Sequence, residues 1–199
     1  VRSALLPLAK RFLKNASPAS QGTSVSVLGA SPLDICATTA TSLKRHLKEP
    51  ADDIVVQGMG CSLNDFIRLP NMRKNYVVAP SGYALATYCA EHFGTPYEIT
   101  YPFASLPFAF EQLVQELAGK QTICILHQQV LGWSLRNALR SRLPQAQITV
   151  ATFFSEIEEI HEEGDRKLSS EADLETLLRG RFDAVLGDAF YRRVYSPQN

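Results

Sequence analysis

The sequence has no surplus charge of either sign, since 20 Lys and Arg are matched by 20 Asp and Glu over 199 residues. Without extra cations there is nothing to release counterions from a phosphate backbone, so nucleic acid is not an expected partner. It also has no apolar run near the roughly 20 residues that span a bilayer. Its opening, VRSALLPLAKRFLKN, is amphipathic, unlike the basic tip and apolar stretch of a secretory signal. A cytoplasmic protein with no membrane partner is expected. Cysteines are few: Cys36, Cys61, Cys89 and Cys124 are scattered, with no CxxC or Cys/His pair at zinc-site spacing. Each falls in or beside an apolar segment, where a free thiol behaves as a small buried hydrophobe.

What is present is the balance of an ordinary globular protein, 45% hydrophobic and 20% charged. Leu5, Leu6, Leu8, Phe12 and Leu13 fall at helical spacing, and the Ser, Ala, Pro and Gly of residues 15–23 read as a linker. Then a grammar begins. SVSVLGAS feeds a helix that starts around Ser31, Pro32 and Asp34; DIVVQG leads through Cys61, Ser62 and Asp65 into a short helix; NYVVAP leads through Ser81 and Gly82 into YALATYCAEHFG. After the aromatic, Pro-rich connector PYEITYPFASLPF, a helix over 109–118 ends at Gly119, and TICILHQQ, VLGWSLRNALRSRLP and QITVATFF repeat the pattern. The acidic stretch from Ser155 to Arg181 is expected to hold one helix or two before a last strand, FDAVLGD. Strands alternating with helices imply parallel sheets with right-handed crossovers and helices on both faces. The expected architecture is therefore α/β, with two Rossmann-like parallel-sheet units. Its parts are an N-terminal helix and linker (1–23), a first unit (24–104) and a second (105–199). Near-continuous apolar strands should bury Val25, Val27, Ile54, Val56, Val77, Ile123, Ile125, Ile148, Val150, Ala184 and Leu186.

Open α/β sheets bind ligands at the carboxyl ends of their strands. That rule nominates Gly29, Ser31, Gly58, Ser81, Gly82, His127, Gln128, Gly187 and Asp188, around a cleft expected between the two units. Gly29 and Ser31 in GASP, and Ser81 and Gly82 in PSG, stand where helix amides favour an anion. Neither turn is a GxGxxG or GxxxxGK[ST], so helix capping is the favoured reading. Cys61 and Ser62 sit at another such turn; Ser62 lacks the GxSxG elbow of a nucleophile and reads as a cap. His127 closes a buried strand and is the histidine best placed to face a cleft, against the plainer reading of a hydrogen-bonded strand end. His46, His92 and His161 read as solvated, as does the acidic run 156–165, which lacks calcium-loop spacing. Trp133 reads as packing. No residues assemble a catalytic constellation or a metal site.

The order of segments carries a further signal. A strand ending in Gly-x-Ser-Pro, the phrase QGMGCSLNDFIRLPNMRKNYVVAPSGYALATYCAEHFGTPY with its E-x-F-G-x-P-Y ending, then GKQTICILHQQVLGWSLRNAL and RFDAVLGDAFYRRV, resemble the nitrogenase component 1 superfamily across nearly all of residues 1–194. The resemblance implies a portion of an oxidoreductase subunit, matching a middle Rossmann-like domain and part of another. Its parent would take electrons from an ATP-dependent iron protein and pair with a homologous component 1 subunit. It also implies a first domain, with no counterpart in this sequence, that supplies most cysteines for an iron–sulfur cluster. In the family's catalytic α subunit a cysteine follows the strand before the E-x-F-G helix; Ala79 stands there in this sequence. No cofactor is therefore expected in this chain, although a cluster belongs to the full-length parent, and the chain alone is expected to be inactive. A different class stays open: a two-lobed binding module for a small molecule or metal complex. A nucleotide-binding enzyme rests on fold analogy alone.

Overall fold

The computed structural model describes residues 5–14, 16, 22–31, 39–47, 50–51, 53–58, 60–101, 107–179 and 182–193. The expectations for Pro32, Asp34, Cys36, the His46 side chain and the 104/105 boundary lie outside these residues. By contact density the chain divides into two compact units, residues 1–105 and 106–199.

In unit 1, helix α1 (Leu5–Phe12) precedes strand β1 (Val25–Leu28), helix α2 (Ala40–Leu47), strand β2 (Ile54–Val56), helix α3 (Leu63–Ile67), strand β3 (Lys74–Val77), helix α4 (Tyr83–Phe93) and strand β4 (Tyr97–Ile99). The sheet is wholly parallel, in the order β2-β1-β3-β4, with Val25 level with Ile54 and Lys74. Alternation along each strand sorts side chains to two faces. Val25, Val27, Val56, Tyr76 and Val78 pack with Leu43 of α2. A right-handed crossover in the opposite direction puts α4 on the other face, where Leu85, Ala86 and Cys89 are buried. Gly94 ends α4 with φ +70, the left-handed cap that glycine adopts without steric cost.

Unit 2 runs α5 (Pro107–Glu116), β5 (Thr122–Leu126), α6 (Gln129–Arg140), β6 (Gln147–Thr152), β7 (Arg166–Lys167), α7 (Glu171–Leu178) and β8 (Ala184–Gly187). Its parallel sheet has the order β7-β6-β5-β8. Gly132 lets α6 settle on Ile125 and Val150, because a Cβ there would meet a Val150 methyl at 2.7 Å. On the opposite face Leu174, Leu177 and Leu178 of α7 close over Cys124, Leu126 and Ala151. Helices thus cover both faces of a parallel sheet, the α/β class expected.

Three expectations need correction. The connector after α4 carries a strand, β4, whose short charged sequence hides its pairing with β3. The acidic stretch holds one helix, α7, as expected, but before it come a 3-10 turn (Glu158–Ile160) and the strand β7, which its sequence did not announce. Ile54, Ala184 and Leu186 are half-buried, not buried. All three lie on edge strands with a sheet neighbour on one side only.

Candidate functional site

The strand order fixes where each sheet can open. In unit 1 the chain goes from β1 outward to β2 and then crosses to β3, so the reversal lies between the ends of β1 and β3, where such sheets place ligands. Four nominated residues, Gly29, Ser31, Ser81 and Gly82, meet there. Their backbones fill the crevice. A Cβ on Gly29, which has φ +85, would stand 2.7 Å from Ala79 O, and one on Gly82 would stand 2.5 Å from Leu28 C. The Ser81 hydroxyl donates to Gly29 O at 3.4 Å, and Ser31 N–H donates to the same carbonyl at 2.9 Å. These glycines answer to close packing between two turns.

Gly58, Cys61 and Ser62 follow the edge strand β2. Ser62 caps α3: its hydroxyl accepts from Asp65 N–H at 3.1 Å, while the Asp65 carboxylate accepts from Ser62 N–H at 2.9 Å. The Ser62 backbone and hydroxyl together hold the Asp65 carboxyl below its usual range. Gly58 N–H donates to Cys61 Sγ at 3.2 Å. Beside this turn lies a cleft of about 130 Å³ lined by Ala40, Lys44, Asp53, Val55, Val56, Gly60, Cys61 and Asp65. Lys44, Asp53 and Asp65 were not nominated by sequence. They come from α2, the start of β2 and α3, and no local pattern joins them.

In unit 2 the reversal lies between β5 and β8 and gathers His127, Gln128, Gly187 and Asp188. Each has structural work. His127 Nδ1 accepts from Gln128 N–H at 2.8 Å, so the neutral ring carries its proton on Nε2. Gln128, fully buried, caps α6 by accepting from Val130 N–H at 2.8 Å. Asp188 accepts from Phe190 N–H at 2.7 Å. A Cβ on Gly187 would stand 3.1 Å from Leu126 O. Tyr191, missed by sequence, stacks on Phe153 with ring centroids 6.0 Å apart. Burial, and then the Asp188 charge, raise its phenol above the usual range.

The described thiols, Cys61, Cys89 and Cys124, do not converge as the several thiolates of an iron–sulfur cluster do. Burial pushes Cys89 up to about 12, and burial with the nearby Asp165 charge pushes Cys124 up to about 12. Cys61 is half-exposed, against the expectation of a buried thiol. Its turn ends an edge strand, where no further strand covers it. Among the described residues no three His, Cys, Asp or Glu side chains converge as a metal site. No helix among them is long and apolar enough to cross a membrane.

No family model matches the chain, and no curated protein matches it. Among solved structures it is similar to one described as "Nitrogenase Cp1 at pH 6.5", at a TM-score of 0.53 and 12% identity, over 92% of this chain and 53% of that one. The chain therefore spans about half the length of that relative, and the likeness is one of fold. A 2-hydroxyacid dehydrogenase from Ketogulonicigenium vulgare Y25 matches at a TM-score of 0.26 and 14% identity, over 85% of this chain and 65% of that one. So loose a match carries no argument.

Proposed function

We propose that this chain is a portion of a nitrogenase-like, component 1 type oxidoreductase subunit, and that its parent works in the cytoplasm. The parent takes electrons from an ATP-dependent iron protein and delivers them to a substrate, beside a homologous component 1 partner. The observation that carries this reading is the extent of the fold match, which covers 92% of this sequence at a TM-score of 0.53. The E-x-F-G-x-P-Y phrase, Glu91 to Tyr97, supports it, since it closes α4 and opens β4. In this reading the strand-end residues Gly29, Ser31, Gly58, Cys61, Ser62, Ser81 and Gly82 are the ligand-facing candidates of unit 1, and His127, Gln128, Gly187 and Asp188 are those of unit 2. In this reading the chain alone performs no reduction, since the cluster belongs to the longer parent.

The test is electron transfer to the parent polypeptide. Purified without oxygen, it should hold iron and be reduced by an ATP-dependent iron protein only while ATP is hydrolysed. A parent that holds no iron and accepts no electrons sinks the assignment.

A further inference from the structure

Strand β2 is an edge of the unit 1 sheet, and the cleft of about 130 Å³ lies against it. Asp53 O accepts from Val25 N–H at 3.0 Å, and Gln57 N–H donates to Val27 O at 2.9 Å. In a parallel ladder alternate residues serve one neighbour, so Asp53, Val55 and Gln57 turn their backbone groups to β1, and Ile54 and Val56 turn theirs to the side that no strand covers. Val56 is 4% exposed and lines the cleft. Its outward N–H and C=O are thus screened from bulk water and meet no strand, a costly state for a buried donor and acceptor.

Charge frames the same cleft and is not neutralised across it. Lys44 lines it from α2, on the sheet face where Val56 packs with Leu43. Alternation along β2 sends Asp53 to the other face, where Asp65 of α3 accepts from the Gln57 side chain through its C=O at 3.3 Å. Arg68 stands 3.6 Å from Asp53 and 3.7 Å from Asp65, one guanidinium between two carboxylates. The Lys44 ammonium forms no ion pair among the described residues. It is nevertheless near enough that its charge joins the Ser62 bonds and Arg68 in holding the Asp65 carboxyl low. An ammonium and a carboxylate therefore face each other across a gap that neither closes. Gly60 borders that gap, and a Cβ there would meet nothing within 4 Å.

We propose that this cleft binds a small zwitterion of the α-amino acid class, with its carboxylate on Lys44, its ammonium on Asp65 and Asp53, and the edge of β2 at Val56 supplying the backbone contact. The volume sets the size, because it falls below the roughly 300–1,000 Å³ of sites for drug-sized ligands. An amino acid with a short side chain fits, and a nucleotide does not. An amino acid also satisfies both walls at once, whereas a simple carboxylate is repelled by Asp53 and Asp65 and a simple amine by Lys44 and Arg68. The site uses unit 1 residues alone and stands independently of the oxidoreductase assignment.

A heteronuclear NMR titration of the whole chain tests it, with glycine and L-alanine as probes in about 0.02 M salt, where charge is little screened. Amide shifts at Val56, Gly60 and Cys61 should saturate together with either amino acid. Acetate and methylammonium should each bind at least about tenfold more weakly than glycine, and L-tryptophan should be too large to bind. Lys44→Met, at an exposed position, and Asp53→Asn should each weaken glycine binding at least about tenfold, while Lys44→Arg should hold it within about threefold. Unchanged shifts elsewhere in each spectrum show that the variants fold as the unsubstituted chain does. Saturating glycine should also slow alkylation of Cys61, which lines the cleft, in the unsubstituted chain and not in Lys44→Met. Glycine that shifts no amide of the cleft, acetate or methylammonium that matches it, or affinity indifferent to Lys44→Met and Asp53→Asn would overturn the proposal.

Discussion

The two sheets differ in what several of their buried polar groups meet, although Arg136 of unit 2 also leaves Nε and Nη2 without a hydrogen-bond partner among the described residues. In unit 1, Ser26 on β1 and Asn75 on β3 are fully buried and level with each other. The Ser26 hydroxyl and both amide atoms of Asn75 nevertheless have no hydrogen-bond partner among the described residues. In unit 2 the buried polar side chains tie separate segments together. Gln129 joins α6 to the loop after β6 through two bonds to Ile157, and Asp165 occupies the edge of β6 just before β7 begins, accepting the Val150 N–H that no strand takes there. A buried polar side chain is therefore a penalty in one place and a connector in the other. What decides is whether the partner has been brought within reach, since an unpaired buried donor or acceptor loses its water without replacement.

The largest expected effect breaks the connectors of unit 2. Arg136 is 1% exposed; its Nη1 bonds Asp165, its Nη2 lies 3.0 Å from Glu162 Oε1 out of hydrogen-bond alignment, and Arg140 holds Glu162 from outside at 2.7 Å. Arg136→Ala leaves the Asp165 carboxylate buried without its cation and should cost about 3–5 kcal/mol in urea denaturation. Hydrogen exchange should accelerate first at Val150 and in the acidic run 156–165. Arg136→Met with Asp165→Leu should recover part of the loss, because removing both charges removes the desolvation that their pairing offsets.

Backbone packing at the two reversal points is the next contrast. Gly82→Ala pushes a methyl group into the Leu28 and Gly29 backbone at 2.5–2.7 Å, whereas Gly187→Ala meets Leu126 at 3.1–3.3 Å. A backbone cannot give way as a flexible side chain does. Gly82→Ala should therefore destabilise by about 2–4 kcal/mol and Gly187→Ala by about 1 kcal/mol, read from thermal unfolding. Equal shifts would show that the unit 1 crevice is looser than its backbone contacts indicate.

How much of this was legible in the sequence depends on whether a feature is local. The runs SVSVL, TICIL and QITVAT declare buried parallel strands because every residue suits a sheet covered on both faces. Capping of α3 and α7 follows from Ser62 with Asp65 and Ser170 with Asp173, three residues apart. Strands β4 and β7 were hidden because Tyr-Glu-Ile and Arg-Lys pair at edges, where solvent tolerates charge. The half-burial of Ala184 and Leu186 depends on β8 having β5 on one side only, a fact of strand order that no spacing within β8 records. At the strand ends, the nominated residues of β1 and β3 do gather, as do those of β5 and β8. The cleft beside Cys61 was illegible because Lys44, Asp53 and Asp65 reach it from three segments.

The contrast sharpens in the opposite direction at Ser26. Ser26→Ala removes a hydroxyl that has no partner among the described residues and leaves the strand pairing untouched, so it should stabilise unit 1 by about 1 kcal/mol. Gln129→Ala, which strands both Ile157 backbone groups, should destabilise by about 1–3 kcal/mol. If Ser26→Ala costs stability, the hydroxyl is satisfied in solution and the difference between the sheets disappears.

Acid separates a surface connector from these buried ones. The Asp183 carboxylate lies before β8 and accepts from Gln121 N–H and Thr122 N–H, each at 2.9 Å, and from the Thr122 hydroxyl at 3.1 Å. The Thr122 and Gln121 backbone bonds and then the Thr122 hydroxyl hold its carboxyl below the usual carboxylate value of 3.8. Because the folded state prefers the ionised form, the stability it contributes is present above the unfolded pKa and is lost as pH falls through the lower folded value. Asp183→Asn should therefore be destabilising at neutral pH, and the gap to the parent should narrow below about pH 4. Asp173, held low by the Ser169 N–H and then by its Ser170 cap, and Asp65, held low by its Ser62 cap, keep the unsubstituted chain acid-sensitive in either case. A gap that widens on acidification would contradict the sign.

The smallest expected effect is none at all, in an attempt to load the isolated chain with iron. Cys89 and Cys124 are fully buried on α4 and β5, with thiols pushed up to about 12, so neither supplies a thiolate near neutrality. Cys61, half-exposed with Gly58 N–H on its sulfur, is the described thiol open to reagent, and one ligand cannot hold a cluster that requires several. Alkylation of the folded chain at pH 8 should label Cys61 and leave Cys89 and Cys124 unmodified until denaturant is added. After anaerobic incubation with iron and sulfide, the desalted chain should be colourless, with no charge-transfer absorption in the visible region. Cys61→Ser should behave identically and retain the parent's unfolding midpoint. Stoichiometric iron that disappears in Cys61→Ser would mean that unit 1 gathers ligands around this turn and carries a redox centre of its own. The chain would then not depend on the cluster domain of a longer subunit, and the difference between a sealed unit 1 and a stitched unit 2 would have to be redrawn around a metal.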